Sequence, residues 1–96
     1  MTNVHLTGRL ICRDTTQAAI VGRHLPPHVE LTLAESGCLS FAVTATTDPL
    51  VWDVEEWFTD ETTFAAHQAR VAASEWGRAT AGIERSYSVE AGTYRQ

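Results

Sequence analysis

Four segments of the chain alternate apolar and polar residues with the two-residue period of a β-strand. They are residues 4–12, 38–46, 51–58 and 83–89. In the first segment, the apolar side chains that share one face are those of Val4, Leu6, Leu10 and Cys12. In the third segment each face mixes acidic with bulky apolar residues. We therefore expect this strand to be covered on both sides, with a polar site on one of them.

Two further segments have the apolar spacing of an amphipathic helix. The first helix is predicted over residues 16–35, and Asp14 with Gln17 resembles a capping box at its start. Pro26 and Pro27 lie inside this helix. Because two prolines remove two amide donors, the sequence predicts a kink or a break here, with two short helices as an alternative.

The second helix begins after a cap formed by Thr59 and Asp60. It carries His67 on its apolar stripe and is expected to end or bend at Trp76-Gly77. Gly37, which follows the first helix, suits the left-handed conformation that ends many helices. The predicted elements therefore follow one another in the order β-α-β-β-α-β.

This order predicts an α+β fold of the ferredoxin-like type, in one domain over residues 1–96. The antiparallel four-stranded sheet is expected to carry both helices on one face, with the third strand between the first and the second. The other face is expected to be apolar and to be covered by a second copy, which gives a dimeric α/β barrel. In this topology Cys12 and Cys38 lie at opposite rims of the sheet, too far apart for a disulfide.

The composition of the chain argues against several kinds of partner and of chemistry. The chain has 96 residues, of which 44% are apolar, a net charge of −5 and no lysine. Its seven arginines form no basic stripe, which argues against nucleic acid or an anionic membrane as the partner. The lack of lysine excludes Schiff-base chemistry and a phosphate loop of the Walker type.

No apolar run approaches the roughly 20 residues of a membrane-spanning helix. Residues 1–5 have neither the basic region nor the apolar region of a secretory signal, so we expect a cytoplasmic protein. The two cysteines are then expected to be reduced. Without a CxxC pattern or a dense Cys/His cluster, no zinc site is expected.

Three short motifs connect the chain to a known family. They are Glu35-Ser36-Gly37-Cys38-Leu39-Ser40-Phe41, Glu55-Glu56-Trp57-Phe58-Thr59-Asp60-Glu61 and Phe64-Ala65-Ala66-His67. Together they resemble the antibiotic biosynthesis monooxygenase domain family, over residues 3–90. The resemblance implies a ferredoxin-like dimeric α/β barrel. It also implies, less directly, oxygenation of phenols or hydroquinones without a metal, flavin or other cofactor.

One branch of that family degrades haem with an asparagine on the first strand and a tryptophan and a histidine on the second helix. Here His67 falls at the tryptophan position and Gly77 falls near the histidine position, while Asn3 lies only at the very start of the first strand. The triad is therefore absent. Haem binding or degradation is kept as a minor alternative, with His67 or His5 as the iron ligand.

Oxygenation without a cofactor requires a base, because a phenol or hydroquinone must lose a proton before it gives an electron to dioxygen. The predicted catalytic residues are His67 as the first candidate for the base, Glu56 as the second, and Arg9 to hold the phenolate. The predicted substrate-binding residues, which would bind the phenolate or shape a flat apolar cavity, are His5, Thr7, Phe41, Trp52, Trp57 and Trp76.

Structural roles compete with these catalytic ones. On its apolar stripe, His67 also suits a histidine that bonds a backbone carbonyl or Glu56 and so locks the helix to the sheet. Whichever of Glu55 and Glu56 points inward would be a base with a raised pKa or would pair with an arginine such as Arg9 or Arg85.

His24 and His28 have the spacing of a metal site on a regular helix, but the two prolines between them spoil that regularity and no third ligand is evident.

Two functions therefore stay open. The first is a cofactor-free monooxygenase acting on an aromatic phenol or quinol, and the second is a non-catalytic dimer that binds a small apolar ligand.

Overall fold

The computed structural model describes residues 2–95 and places four strands and three helices in them. In chain order the elements are β1 (Asn3–Ile11), α1 (Thr15–Leu33), β2 (Cys38–Ala45), β3 (Val51–Phe58), α2 (Glu61–Ala72), α3 (Glu75–Ala79) and β4 (Glu84–Gly92). The predicted β-α-β-β-α-β order is confirmed, with the short α3 added before the last strand. No helix within residues 2–95 is long and apolar enough to cross a membrane.

The strands form one antiparallel sheet in the order β2-β3-β1-β4. As predicted, β3 lies between β1 and β2, and it pairs with both of them. The pairing places Leu6 and Phe41 on either side of Glu56, so these three side chains point to the same face. Cys12 and Cys38 are free thiols, as the topology predicted.

The two faces of the sheet differ in their chemistry. The buried apolar residues of the strands point towards the helices and are Val4, Leu6, Leu10, Phe41, Val54 and Phe58. The opposite, outer face of β1 and β3 is largely polar, since it carries His5, Thr7, Arg9, Asp53 and Glu55. The expectation of an apolar outer face is therefore wrong. Within one protomer β3 is covered on its inner face, while Asp53 and Glu55 are exposed on the other.

Helix α1 continues through both prolines, so the predicted break into two helices is wrong. Pro26 and Pro27 lie on the exposed side of the helix, where Gly22 and Arg23 are exposed too. These are the residues whose carbonyl groups lose their helical donors, and water can take the place of those donors. Packing of the buried side of α1 against the sheet then keeps the two halves in one helix.

The capping interaction at the start of α1 is shifted by one residue from the predicted one. Asp14 Oδ1 accepts a hydrogen bond from the Gln17 amide at 2.9 Å. The Gln17 side chain accepts in turn from the amide of Arg13, at 2.7 Å, and not from that of the capping residue itself.

Two glycines serve close packing and not the roles that the sequence predicted. Gly37 does not have a left-handed φ. A Cβ atom there would lie 2.2 Å from Cβ of Thr63, so its absence lets the start of α2 approach. Helix α2 ends at Ala72, before Trp76-Gly77, which lies inside α3. At Gly77 an added Cβ atom would lie 2.1 Å from the Val71 carbonyl oxygen.

Candidate functional site

A cavity of about 300 Å³ lies between the helices and the inner face of the sheet. Its lining includes side chains of all three helices and of strands β2, β3 and β4. The residues that line it and carry polar, charged or aromatic side chains are His28, Phe41, Glu56, His67, Gln68, Trp76, Arg85 and Tyr87. A larger groove of about 800 Å³ lies next to the start of α2, and no histidine lines it among the described residues.

His67 lies on the buried side of α2, with 2% of its surface exposed. Its Nδ1 atom lies 2.9 and 3.1 Å from the two carboxylate oxygens of Glu35. Its Nε2 atom faces Oε1 of Glu56 at 3.6 Å. The ring therefore stands between two carboxyl groups, one from the loop after α1 and one from the centre of the sheet.

Glu56 is an acidic residue in an apolar setting, 7% exposed on β3. Its Oε1 atom is buried and has no hydrogen-bond partner among the described residues. Burial, and next the negative charge of Glu35, raises the pKa of Glu56 from 4.5 to about 7. This carboxyl group is thus poised to take up or release a proton near neutral pH.

Burial also lowers the pKa of the His67 imidazole, and the Glu35 carboxylate opposes this effect only in part. The ring is therefore uncharged at neutral pH. A neutral imidazole has one nitrogen that can accept a proton, which a general base requires.

His28 completes the aromatic wall of the cavity. Its ring stacks on that of Trp76, with the centroids 4.4 Å apart and the planes parallel. It also meets the edge of Phe41 at 5.2 Å. Burial, followed by the nearby His67, Arg70 and Arg85, lowers its pKa to about 4, so that it too is neutral near pH 7.

The structure brings together four of the nine residues that the sequence predicted for the site. His67, Glu56, Phe41 and Trp76 all line the 300 Å³ cavity. Trp52 points to the same side of the sheet but packs against the main apolar core and does not line the cavity.

The other four predicted residues, Arg9, His5, Thr7 and Trp57, lie on the outer face of the sheet. His5 stacks on Trp57 with 3.8 Å between centroids and bonds Glu55 at 3.0 Å. Arg9 pairs with Asp53 at 3.3 Å. Within one protomer, Arg9 and His5 therefore cannot hold a phenolate whose proton goes to His67.

Glu35, Arg70 and His28 also belong to the site, although they were not predicted for it, and no substrate role was predicted for Arg85 or Tyr87. One available signal was that Glu35 opens the first family-like motif. Arg85 lies at the cavity and is anchored by Thr80, whose carbonyl oxygen accepts at 2.9 Å and whose hydroxyl accepts at 2.7 Å.

The histidines do not offer an open metal or haem site. Among residues 2–95, no three His, Cys, Asp or Glu side chains are grouped so that they could hold a metal ion. His67 has a carboxyl group beside each ring nitrogen, and His5 is stacked and hydrogen-bonded on the outer face. His5 therefore does not fit the role of an axial haem ligand, and an iron atom at Nε2 of His67 would have to displace the Glu56 carboxyl group.

Several solved structures have this fold. A putative antibiotic biosynthesis monooxygenase from Nitrosomonas europaea superimposes with a TM-score of 0.77 at 17% identity, covering 98% of this chain and 94% of that one. SnoaB, a cofactor-independent oxygenase from Streptomyces nogalater, gives 0.74 at 13% identity, with 100% and 96% covered. A protein of unknown function from Nitrosomonas europaea gives 0.74 at 21% identity, with 100% and 94% covered.

No protein-family model and no curated protein matches the chain by sequence. The likeness therefore rests on the backbone, over almost the full length of both partners in each comparison. The chain has the ferredoxin-like α+β fold that these structures share.

Proposed function

We propose that the chain is a monooxygenase that oxidises a small aromatic phenol or hydroquinone with dioxygen and needs no cofactor. The observation that carries this proposal is the buried pair of His67 and Glu56. The two groups lie 3.6 Å apart on the wall of an aromatic cavity. Burial lowers the pKa of His67 and raises that of Glu56 to about 7, so both can exchange a proton near neutral pH. The fold shared with SnoaB, a cofactor-independent oxygenase, agrees with it.

In the proposed reaction the substrate lies flat between Trp76 and Phe41, with its hydroxyl group towards the His67–Glu56 pair. The substrate O–H bond breaks and the proton passes to the pair. The resulting anion is electron-rich enough to pass an electron to dioxygen. The oxygen radical anion then bonds to a ring carbon of the substrate radical, and the pair returns its proton to give a hydroperoxide. The O–O bond and the C–H bond of that carbon break together, so that one oxygen atom stays on the ring as a carbonyl oxygen. The other oxygen leaves as water, with one hydrogen from the pair and one from the ring carbon.

Arg85 takes the place that the sequence had given to Arg9, because Arg85 lines the cavity and Arg9 does not. A positive group fixed by Thr80 at the mouth of the cavity favours the phenolate over the phenol.

The test is oxygen consumption with a panel of hydroquinones and anthrones, without added metal or cofactor, above the autoxidation blank of each compound. We expect uptake in the wild type and a loss of about 10²- to 10⁴-fold in His67→Ala, the usual contribution of a general base. His24→Ala is the matched control, because His24 lies on α1 outside this cavity and its removal is expected to leave the rate unchanged. Uptake that survives in His67→Ala would move the base elsewhere.

The cavity also favours a second function, the binding of a small apolar ligand without turnover. Much of its wall is aliphatic, with Val43, Val54 and Val71 beside the aromatic residues. Saturable quenching of tryptophan fluorescence by the same compounds, without oxygen uptake, would favour this reading over the enzyme.

A further inference from the structure

The Nδ1 side of His67 faces a hydrogen-bonded ion pair. Glu35 accepts from Nδ1 with one carboxylate oxygen at 2.9 Å, and its other oxygen accepts from Nε of Arg70. Nη2 of Arg70 donates to Oγ1 of the fully buried Thr32 at 3.0 Å. The Thr32 hydroxyl donates in turn to the carbonyl of His28 at 2.8 Å. Helix α1, the loop that follows it and α2 are thus tied together around this ring nitrogen.

The donors and acceptors in this series of hydrogen bonds have only one consistent arrangement. A guanidinium group can only donate, and a carboxylate paired with it can only accept. Nδ1 of His67 must therefore carry the proton, and Nε2 is left with the lone pair. Because Nε2 is the nitrogen that faces Glu56 and the cavity, the base is aimed at the substrate side.

We infer that Glu35 and Arg70 are positioning residues that fix the Nδ1–H tautomer of His67 and so make its Nε2 atom the base. This inference rests on the proposed oxygenase function, but its structural half does not need turnover to be tested. Glu35 acts through His67 and not on the substrate, because neither Glu35 nor Arg70 lines the 300 Å³ cavity. They line a separate cavity of about 320 Å³, and His67 is the one residue common to the two linings.

The variant Glu35→Gln removes the negative charge beside His67 and is expected to change the tautomer of His67, while the shape of side chain 35 stays nearly the same. Arg70 Nε still requires an acceptor, so it takes the amide oxygen of the new side chain, which turns the amide NH₂ group towards Nδ1. An NH₂ group can only donate, so Nδ1 has to accept and the ring proton moves to Nε2. The lone pair that faces the cavity is then lost, although the side chains occupy nearly the same space.

The first measurement is the tautomer of His67 by long-range proton–nitrogen NMR on protein with isotopically labelled histidine, at a pH above the ionisation of His67. The chain has four histidines, and His67→Ala identifies the signal of interest. We expect the Nδ1–H form in the wild type and in Glu35→Asp, which keeps the charge, and the Nε2–H form in Glu35→Gln. Glu30→Gln, an exposed carboxylate on α1, is the matched control and is expected to leave the spectrum unchanged.

The second measurement is oxygen uptake by the same variants. We expect kcat to fall by about 10²-fold or more in Glu35→Gln with KM unchanged, because the group does not touch the substrate, and Glu35→Asp to restore part of the loss. Thermal unfolding of each variant separates this effect from loss of the fold.

The groups that face His67 and shape its pH response are Glu35, Arg70, Glu56 and His28. Arg70 lies on the same helix, and the other three come from the loop, the sheet and α1. Of these, only Glu35 changes in the variant. An Nε2–H tautomer in the wild type, or wild-type kcat with the Nδ1–H form in Glu35→Gln, would overturn the inference. A wild type that shows the Nδ1–H form but consumes no oxygen with any compound would refute the proposed function and leave the positioning role standing.

Discussion

Replacing Glu56 with glutamine is expected to stabilise the fold at high pH, although it removes part of the proposed catalytic pair. The folded protein holds the pKa of Glu56 at about 7, against 4.5 for an ordinary glutamate. Between these two values the unfolded chain has released its proton and the native protein has not, so stability falls as the pH rises through this window. At about 1.4 kcal/mol for each pH unit, the ionised carboxylate costs the native state about 3 kcal/mol above neutral pH.

The assay is urea unfolding of the wild type and Glu56→Gln at a series of values between about pH 5 and about pH 8, the range that brackets the shifted ionisation. The quantity to compare is the difference in unfolding free energy between the two proteins. We expect this difference to move by about 2.5 kcal/mol in favour of the variant across the range, because most of the window between the two pKa values lies within it. Contributions from other groups, including the lowered pKa of His28, are common to both proteins and cancel.

Glu30→Gln is the control, since Glu30 is an exposed carboxylate on α1 that does not line the cavity. The difference between this variant and the wild type is expected to stay constant with pH over the same range. A Glu56→Gln difference that is equally flat would exclude the raised pKa, because it would mean that Glu56 ionises in the folded protein as it does in water.

Two further predictions concern packing and assembly. Gly37→Ala is expected to destabilise the protein by about 1–3 kcal/mol, because the added methyl group meets a side chain of α2, whereas Gly22→Ala, with nothing within 4 Å, is expected to add about 0.5–1 kcal/mol. Urea unfolding at one pH compares the pair, and equal effects would contradict the packing account. We also propose that two copies assemble through the outer face of the sheet, where the partly exposed side chains of Ile11, Val51 and Trp57 lie beside the polar ones. Thr7→Arg on that face is expected to turn a dimer into a monomer in light scattering. Thr16→Arg, on an exposed helix end, should leave the dimer intact, and a wild-type monomer would contradict the proposal.

The fold could be predicted from the sequence because the patterns that indicate its strands and helices lie within short segments of the chain. The alternation of Val4, Leu6, Leu10 and Cys12 identified the buried face of β1, and helical spacing placed His67 on the inner side of α2. Local signals failed where packing overrides them. The prolines of α1 were expected to kink or break the helix, but the helix continues through them and has buried residues on both sides of them.

Only part of the site could be predicted from the sequence, because the site depends on the register of the strands and on contacts between residues far apart in the chain. A period of two separates the faces of a strand but does not say which face of β1 shares a side with Glu56. The register pairs Leu6 with Glu56, and this put Arg9 and His5 on the opposite face. The bond between Glu35 and His67 joins residues 32 positions apart in the chain, which no periodicity reveals.

We propose that the chain itself, through the cavity at His67 and Glu56, inserts one oxygen atom from dioxygen into an aromatic substrate. The most direct test is mass spectrometry of the product formed under isotopically labelled dioxygen, with metals removed by a chelator and no cofactor added. We predict one labelled oxygen atom in each molecule of product from the wild type, and almost no product from His67→Ala. Product whose new oxygen comes from water, or product formed equally well by both proteins, would contradict the claim.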